Sequence, residues 1–311
     1  MEYSGILKEN EAREESYTPE TDKYTEAFRK FDLNVDEESV KKAVNSIGKK
    51  ASEYGNKQLL NIISCLDYTS LKTTDSDESI LAMTEKINDF FSSNPAVPAF
   101  AAVCVYPCYA ETVSQSLEID GISIACVSGG FPSSQTSTEV KIAETAMAIH
   151  DGADEIDIVQ PVGRFLSGEY EYIADEIQEL KEVCGEEHTL KVILETGALG
   201  SLSNVKKAAV MAMYAGADFI KTSTGKEAVG ATPEAFYVMC QAIKEYAGEN
   251  DRKIGIKAAG GISTIEGALL YYAIAENVLG ESWMNKSLFR IGASRLAGKL
   301  VSEVTGEESP F

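Results

Sequence analysis

Three charged residues sit in runs whose composition suits a dry interior. Asp157 lies within Glu155–Val159, Lys221 within Phe219–Thr222 and Lys257 within Ile254–Ala258. The rest of each run is largely aliphatic or aromatic, as in strands buried on both faces. Side-chain alternation puts Ile156 and Ile158 on one face of the first run and Glu155, Asp157 and Val159 on the other. The same rule turns Lys191, Lys221 and Lys257 to the face opposite Val192, Ile220 and Ile256. Unpaired buried charge costs several kcal/mol, so these groups must pair or line a wet pocket. Two lysines on neighbouring strands repel each other. That lowers the pKa of one from its ordinary value of about 10.4 and yields the neutral amine that attacks a carbonyl. Lys221, Lys257 and Asp157 therefore read as catalytic. Glu155 and Lys191 read first as a structural ion-pair network lying deeper, and Lys191 is also kept as a candidate substrate-binding residue.

Three small-residue loops follow the last strand-like runs: Ser223-Thr224-Gly225-Lys226, Gly260-Gly261-Ile262-Ser263 and Gly292-Ala293-Ser294-Arg295. Small residues expose backbone N–H groups, and the N-termini of the following helices attract anions. Simple tight turns would use the same residues. Together the three loops predict a phosphate site.

Positioning these groups needs a scaffold. Eight β-rich runs alternate with helical patterns: Ile62–Asp67, Ala101–Tyr106, Ile122–Val127, Glu155–Val159, Leu190–Glu195, Phe219–Thr222, Ile254–Ala258 and Leu288–Gly292. The helical patterns include Glu78–Phe91, Thr138–His150, Tyr170–Cys184, Asn204–Tyr214, Pro233–Tyr246 and Thr264–Ala275. Thr232-Pro233-Glu234 reads as a capped helix start, and Ser263 to Glu266 as a capping box. Eight βα units predict an α/β fold, a closed parallel (β/α)8 barrel of the TIM type, whose sites lie at the C-terminal ends of the strands. A doubly wound open sheet is the rival. It would carry a glycine fingerprint after the first strand, where this chain has Asp67-Tyr68-Thr69-Ser70.

The expected divisions are a flexible acidic arm over 1–23, a helical extension over 24–60, the barrel over 61–304 and a tail over 305–311. The extension can cover the bottom of the barrel or bind a second subunit, so a homo-oligomer stays open. A net charge of −21 with no basic tract argues against nucleic acid. No apolar run approaches the ~20 residues of a membrane span, and the acidic start does not read as a secretory signal. A cytoplasmic protein is expected, with its six cysteines reduced. Only His150 and His188 are available as imidazole ligands, and neither ends a strand, so no metal or other cofactor is expected.

Several segments are similar to one known family. Cys65–Thr69, Ala102–Pro107, Gly152–Asp157, Lys191–Gly197, Ala217–Gly225 and Lys257–Gly261 resemble the deoxyribose-phosphate aldolases, over about residues 60 to 300. The stretch Phe219-Ile220-Lys221-Thr222-Ser223-Thr224-Gly225 is the most specific. The resemblance implies a class I aldolase on a β/α barrel. Such an enzyme reversibly splits 2-deoxy-D-ribose 5-phosphate into acetaldehyde and D-glyceraldehyde 3-phosphate. It implies Lys221 as the Schiff-base lysine, Lys257 as the lysine that perturbs it and Asp157 as the proton-relay carboxylate. Asp67 matches a polar site residue, and Gly225, Lys226, Gly260, Gly261 and Ser294 match the phosphate loops. Thr69, Cys104, Thr224 and Arg295 complete the candidate substrate-binding set. Cys104 is equally well read as a buried inert thiol.

The chain departs from the family pattern in places. Ala258 stands where proline is frequent, Arg295 where a second serine is frequent, and Ser263 where an arginine or similar group is common. The chain ends in Phe311, whereas some members end in a tyrosine that assists proton transfer. Arg295 is expected to supply the missing positive charge. Two other readings remain open at this stage. One is another Schiff-base barrel aldolase, transaldolase-like or acting on ketose phosphates. The other is a barrel that binds sugar phosphate without turnover.

Overall fold

The strands form one closed all-parallel barrel in chain order, with β8 returning to β1. They are β1 (Leu66–Thr69), β2 (Ala102–Val105), β3 (Ser123–Ser128), β4 (Glu155–Val159), β5 (Thr189–Ile193), β6 (Phe219–Lys221), β7 (Gly255–Ala259) and β8 (Phe289–Ala293). Burial on both faces explains their apolar composition, since helices cover the outside and side chains fill the axis. The computed structural model describes residues 23–311. The expected acidic arm lies outside the described residues, except for Lys23.

Before the barrel come α1 (Lys23–Arg29), α2 (Glu37–Ala51) and α3 (Asn56–Ser64). The covering helices are α4 (Asp77–Ser93), α5 (Ala110–Ser116), α6 (Thr138–His150), α7 (Val162–Ser167), α8 (Tyr170–Cys184), α9 (Leu202–Tyr214), α10 (Pro233–Asn250), α11 (Ile265–Leu279) and α12 (Arg295–Thr305). The extension does not simply cap the barrel bottom. Helix α1 lies along α9, and α2 lies along α10 and α11. Its side chains Val40, Val44 and Ile47 repeat at helical spacing and are buried there. Between α1 and the barrel, Phe28 meets Tyr170 and Phe31 meets Tyr214, both edge to face. Helix α3 reaches the N-terminal end of the barrel, where Asn61 Nδ2 donates to the Met284 carbonyl at 3.0 Å.

The sequence reading of the first strand needs correction. Residues 62–64 belong to α3, and the strand starts at Leu66. Ile62 and Ile63 are fully buried as helical residues. A short buried apolar run has the same composition in either element. Strand five ends at Ile193, two residues earlier than expected, because Glu195 turns into the left-handed region at φ 53°. The cap of α11 is also shifted by one residue. Thr264, not Ser263, is the N-cap and accepts from Gly267 N, so Glu266 falls one position short of a capping box. Thr232 caps α10 as expected, accepting from Ala235 N ahead of Pro233.

The register sets the height of each axial side chain. Asp157 pairs with Lys191, Lys221 with Lys257, and Lys257 with Arg290. Lower down, Phe219 fills the axis. A side chain at Gly255 would occupy the space of its ring, so the glycine there makes room for the plug.

Candidate active site

Three lysines converge on Asp157. Lys221 Nζ and Lys257 Nζ each donate to Oδ2 at 2.7 Å, and Lys191 Nζ donates to Oδ1 at 2.7 Å. Lys191 also meets Glu155 at 2.6 Å. Arg290 then bridges Glu155 at 2.7 Å and Asp67 at 2.7 Å, and Asp67 pairs with Lys257. All seven side chains are essentially buried. Their chain positions are scattered over β1, β4, β5, β6, β7 and β8, so only barrel closure brings them together.

The charges are set by this packing. Burial pulls the Lys221 ammonium below the ordinary lysine range and nearby Lys257 adds to that, while Asp157 opposes both. Of the influences that lower it, desolvation is the first and the crowding cation only the second, a correction to the expectation drawn from two neighbouring lysines. Burial also works against a charged Lys257, but Asp157 and Asp67 outweigh it and hold that ammonium firmly protonated. Burial likewise disfavours an ionised Asp157, yet Lys191, Lys221 and Lys257 hold it well below the usual carboxylate range.

Lys221 alone of the seven lines the cavity that opens at the C-terminal ends of the strands. The cavity holds about 230 Å³. Its walls include Thr69, Thr224, Gly225, Lys226, Gly260, Gly261, Ser294 and Arg295, so most candidate substrate-binding residues come together there. Lys72 joins them, and among the described residues no carboxylate lines this cavity. In a chain of net charge −21 that is a local inversion of sign. Three other candidates stand apart from the wall. Asp67 and Lys191 are enclosed in the ion network, and Cys104 is fully buried inside the barrel, its thiol pushed up by burial.

Close backbone contacts hold the loop after β6. Gly197 lies against the Val229 carbonyl and Gly230 against the Gly260 carbonyl, each too near for a β-carbon. Ala231 N donates to the Gly260 carbonyl at 3.0 Å. Gly260 and Gly261 take φ of 99° and 86°, a region that favours glycine. The Glu195 carboxylate accepts from Thr224 N and Oγ1. Lys226 Nζ donates to the Leu71 carbonyl across the mouth. On β8, a β-carbon at Gly292 would press on Lys257 Cε at 3.0 Å, so glycine there gives the lysine its path.

Sequence reasoning missed Arg290, Lys72 and the Glu195–Thr224 contact. Arg290 was within reach, because a charge inside the run Leu288–Gly292 breaks the same rule that singled out Asp157. The two histidines lie elsewhere: His150 ends α6, and His188 Nδ1 faces the Cys184 carbonyl at 2.9 Å. Phe311 is packed among Tyr68, Phe90, Phe91 and Phe100 rather than in the cavity.

The sequence profile of the DeoC/LacD family aldolases matches residues 62–278. The deoxyribose-phosphate aldolase of Bos taurus is 39% identical over 79% of this chain and 80% of its own length. That of Homo sapiens is 38% identical over the same shares. Among solved structures, QR15, an aldolase, superposes with a TM-score of 0.64 at 28% identity, covering 79% of this chain and 99% of the other. A deoxyribose phosphate aldolase from Aeropyrum pernix, described as a unique tetramer, superposes with a TM-score of 0.63 over 82% of this chain and 96% of the other. At 23% identity it speaks for the fold alone. With more than half of its length matching the profile and these curated relatives aligned along most of theirs, the chain belongs to the DeoC/LacD aldolase family and is a lyase.

Proposed function

We propose that this lyase reversibly cleaves 2-deoxy-D-ribose 5-phosphate into acetaldehyde and D-glyceraldehyde 3-phosphate through an imine on Lys221. One observation carries the reading. A buried lysine whose proton is disfavoured opens into a cavity walled by cations and by small-residue loops. The names of the curated relatives point to the same substrate. Phosphate binding by itself gives no reason to bury a neutral amine.

In the forward direction the neutral Lys221 amine adds to C1 of the open-chain sugar, and one proton delivered by the relay lets the C1 hydroxyl leave as water, giving a protonated imine. A base removes the proton of the C3 hydroxyl. The C2–C3 bonding electrons move into the imine, glyceraldehyde 3-phosphate departs, and an enamine remains. Protonation at C2 and hydrolysis release acetaldehyde and restore the amine. Asp157 is held too acidic to keep a proton for long, so the relay falls to Asp157 and Lys257 together with water. The loops after β6, β7 and β8 hold the phosphate and so fix C1 against Lys221. We place the reaction in the cytoplasm, a compartment that suits six free thiols.

The test is borohydride reduction in the presence of acetaldehyde, followed by peptide mass mapping. The two-carbon label is expected on Lys221, with no equivalent label from dihydroxyacetone. A label elsewhere, or one from the ketone only, would sink the reading. Arg295 is exposed at the start of α12 and lines the cavity. Arg295→Leu is expected to raise KM for the phosphorylated sugar about tenfold, the loss of one charge-assisted contact to phosphate. The rate of acetaldehyde trapping should stay the same. An unchanged KM would show that Arg295 does not hold the phosphate.

A further inference from the structure

Arg290 lies away from the cavity. It touches Asp67, Glu155, the Lys286 carbonyl and the Phe219 ring, none of which lines the wall around Lys221. Its contacts nevertheless complete a closed circuit. Arg290 pairs with Asp67, Asp67 with Lys257, Lys257 with Asp157, Asp157 with Lys191, Lys191 with Glu155, and Glu155 with Arg290 again. Cations and carboxylates alternate, so the six charges cancel. Lys221 hangs from Asp157 outside this circuit. Its proton would be the one uncompensated charge in a buried cluster, where such a charge is expensive.

We infer that Arg290 is a positioning residue for the nucleophile: by closing the ring it makes Lys221 the surplus cation, the one that sheds its proton. The inference rests on Lys221 being the imine-forming amine. The groups facing Lys221 are Asp157 from β4, Lys257 from β7, Cys104 from β2 and Glu195 in the loop after β5. Without the Arg290 charge, three carboxylates of the ring would face Lys191 and Lys257 alone. The proton of Lys221 would then restore neutrality and be retained to higher pH. Arg290 itself contacts no reacting atom.

The experiment follows cyanoborohydride trapping of acetaldehyde on Lys221 against pH, by peptide mass mapping of the full chain. The aldehyde carries no phosphate, so the phosphate loops do not enter the readout. Arg290→Met is expected to move the acid limb up by about one pH unit, a tenfold loss of trapping rate on that limb. Arg290→Lys keeps the charge and should keep the limb. Glu155→Gln removes an anion instead and should move the limb down. Arg290→Met with Glu155→Gln removes one charge of each sign and should return it. A merely structural role would lower thermal stability and leave every limb in place. If Arg290→Met does not fold, Glu155→Gln and the double variant carry the test. An unmoved limb in Glu155→Gln, or a displaced limb in the double variant, overturns the inference. Labelling of the unsubstituted chain away from Lys221 is a different failure, since it removes the Schiff-base reading on which the ring argument stands.

Discussion

Lys221→Leu is expected to lower kcat/KM by ~10⁴-fold or more while leaving the protein at least as stable. A covalent nucleophile has no substitute in this site, so only positioning and electrostatic stabilisation would survive its removal. Lys257, its register neighbour on β7, is held protonated by Asp157 and Asp67 and cannot take over as the amine. The stability half of the prediction follows from the same contacts. Asp157 would lose one of three lysine partners but keep Lys191 and Lys257 at 2.7 Å each. Lys221 is the surplus cation of the cluster, so its removal leaves no buried carboxylate without a partner, and the penalty for breaking a buried pair does not arise. Steady-state turnover and a thermal melt on the same preparation check both halves. Turnover within tenfold of the unsubstituted chain would remove Lys221 from the mechanism. A large loss of stability would instead show that Lys221 is structural.

The barrel was legible because each strand is short, doubly buried and set off by a helix, so the alternation of patterns survives without any long-range information. Asp157, Lys221 and Lys257 were legible for the opposite reason, as exceptions to that burial rule. What the sequence hid depends on closure. Nothing near Arg290 in the chain announces that Glu155, 135 positions earlier, will receive its guanidinium. The loop after β6 was read as a phosphate loop from its small residues alone. Its fixed position comes from Gly197 and Gly260, contributed by two other loops. The Glu195 contact with Thr224 was invisible because strand alternation fails once the backbone turns left-handed. The extension could be read as covering the barrel bottom or as binding a second subunit, because its amphipathic helices need a partner. Which surface they take, the outer faces of α9, α10 and α11, depends on the three-dimensional neighbourhood of their apolar stripe.

Asp157→Asn should show the reverse pattern to Lys221→Leu, with both stability and turnover falling. An amide in place of the carboxylate leaves Lys191, Lys257 and Arg290 facing only Asp67 and Glu155. One buried cation is then unpaired even with Lys221 neutral. Breaking a buried ion network in this way costs about 3–5 kcal/mol, a drop in Tm on the order of 10 °C for a chain of this size. The native carboxyl is held well below its ordinary value, so its contribution is fully present above the unfolded pKa of about 3.9 and is lost only as pH falls through the native value. Near neutral pH the unsubstituted chain therefore holds all of it, and the variant none. Turnover at a permissive temperature is expected to fall ~10²–10⁴-fold, the usual contribution of a positioned proton-transfer group. The nucleophile should survive. Asp157 works to keep Lys221 protonated, so its loss makes the amine easier to deprotonate, and acetaldehyde trapping on Lys221 should proceed at the native rate or faster. That divergence separates a proton relay from a mere scaffold. If trapping and turnover fall together, Asp157 acts by holding Lys221 in place, and the relay must be sought in another group at the mouth of the barrel.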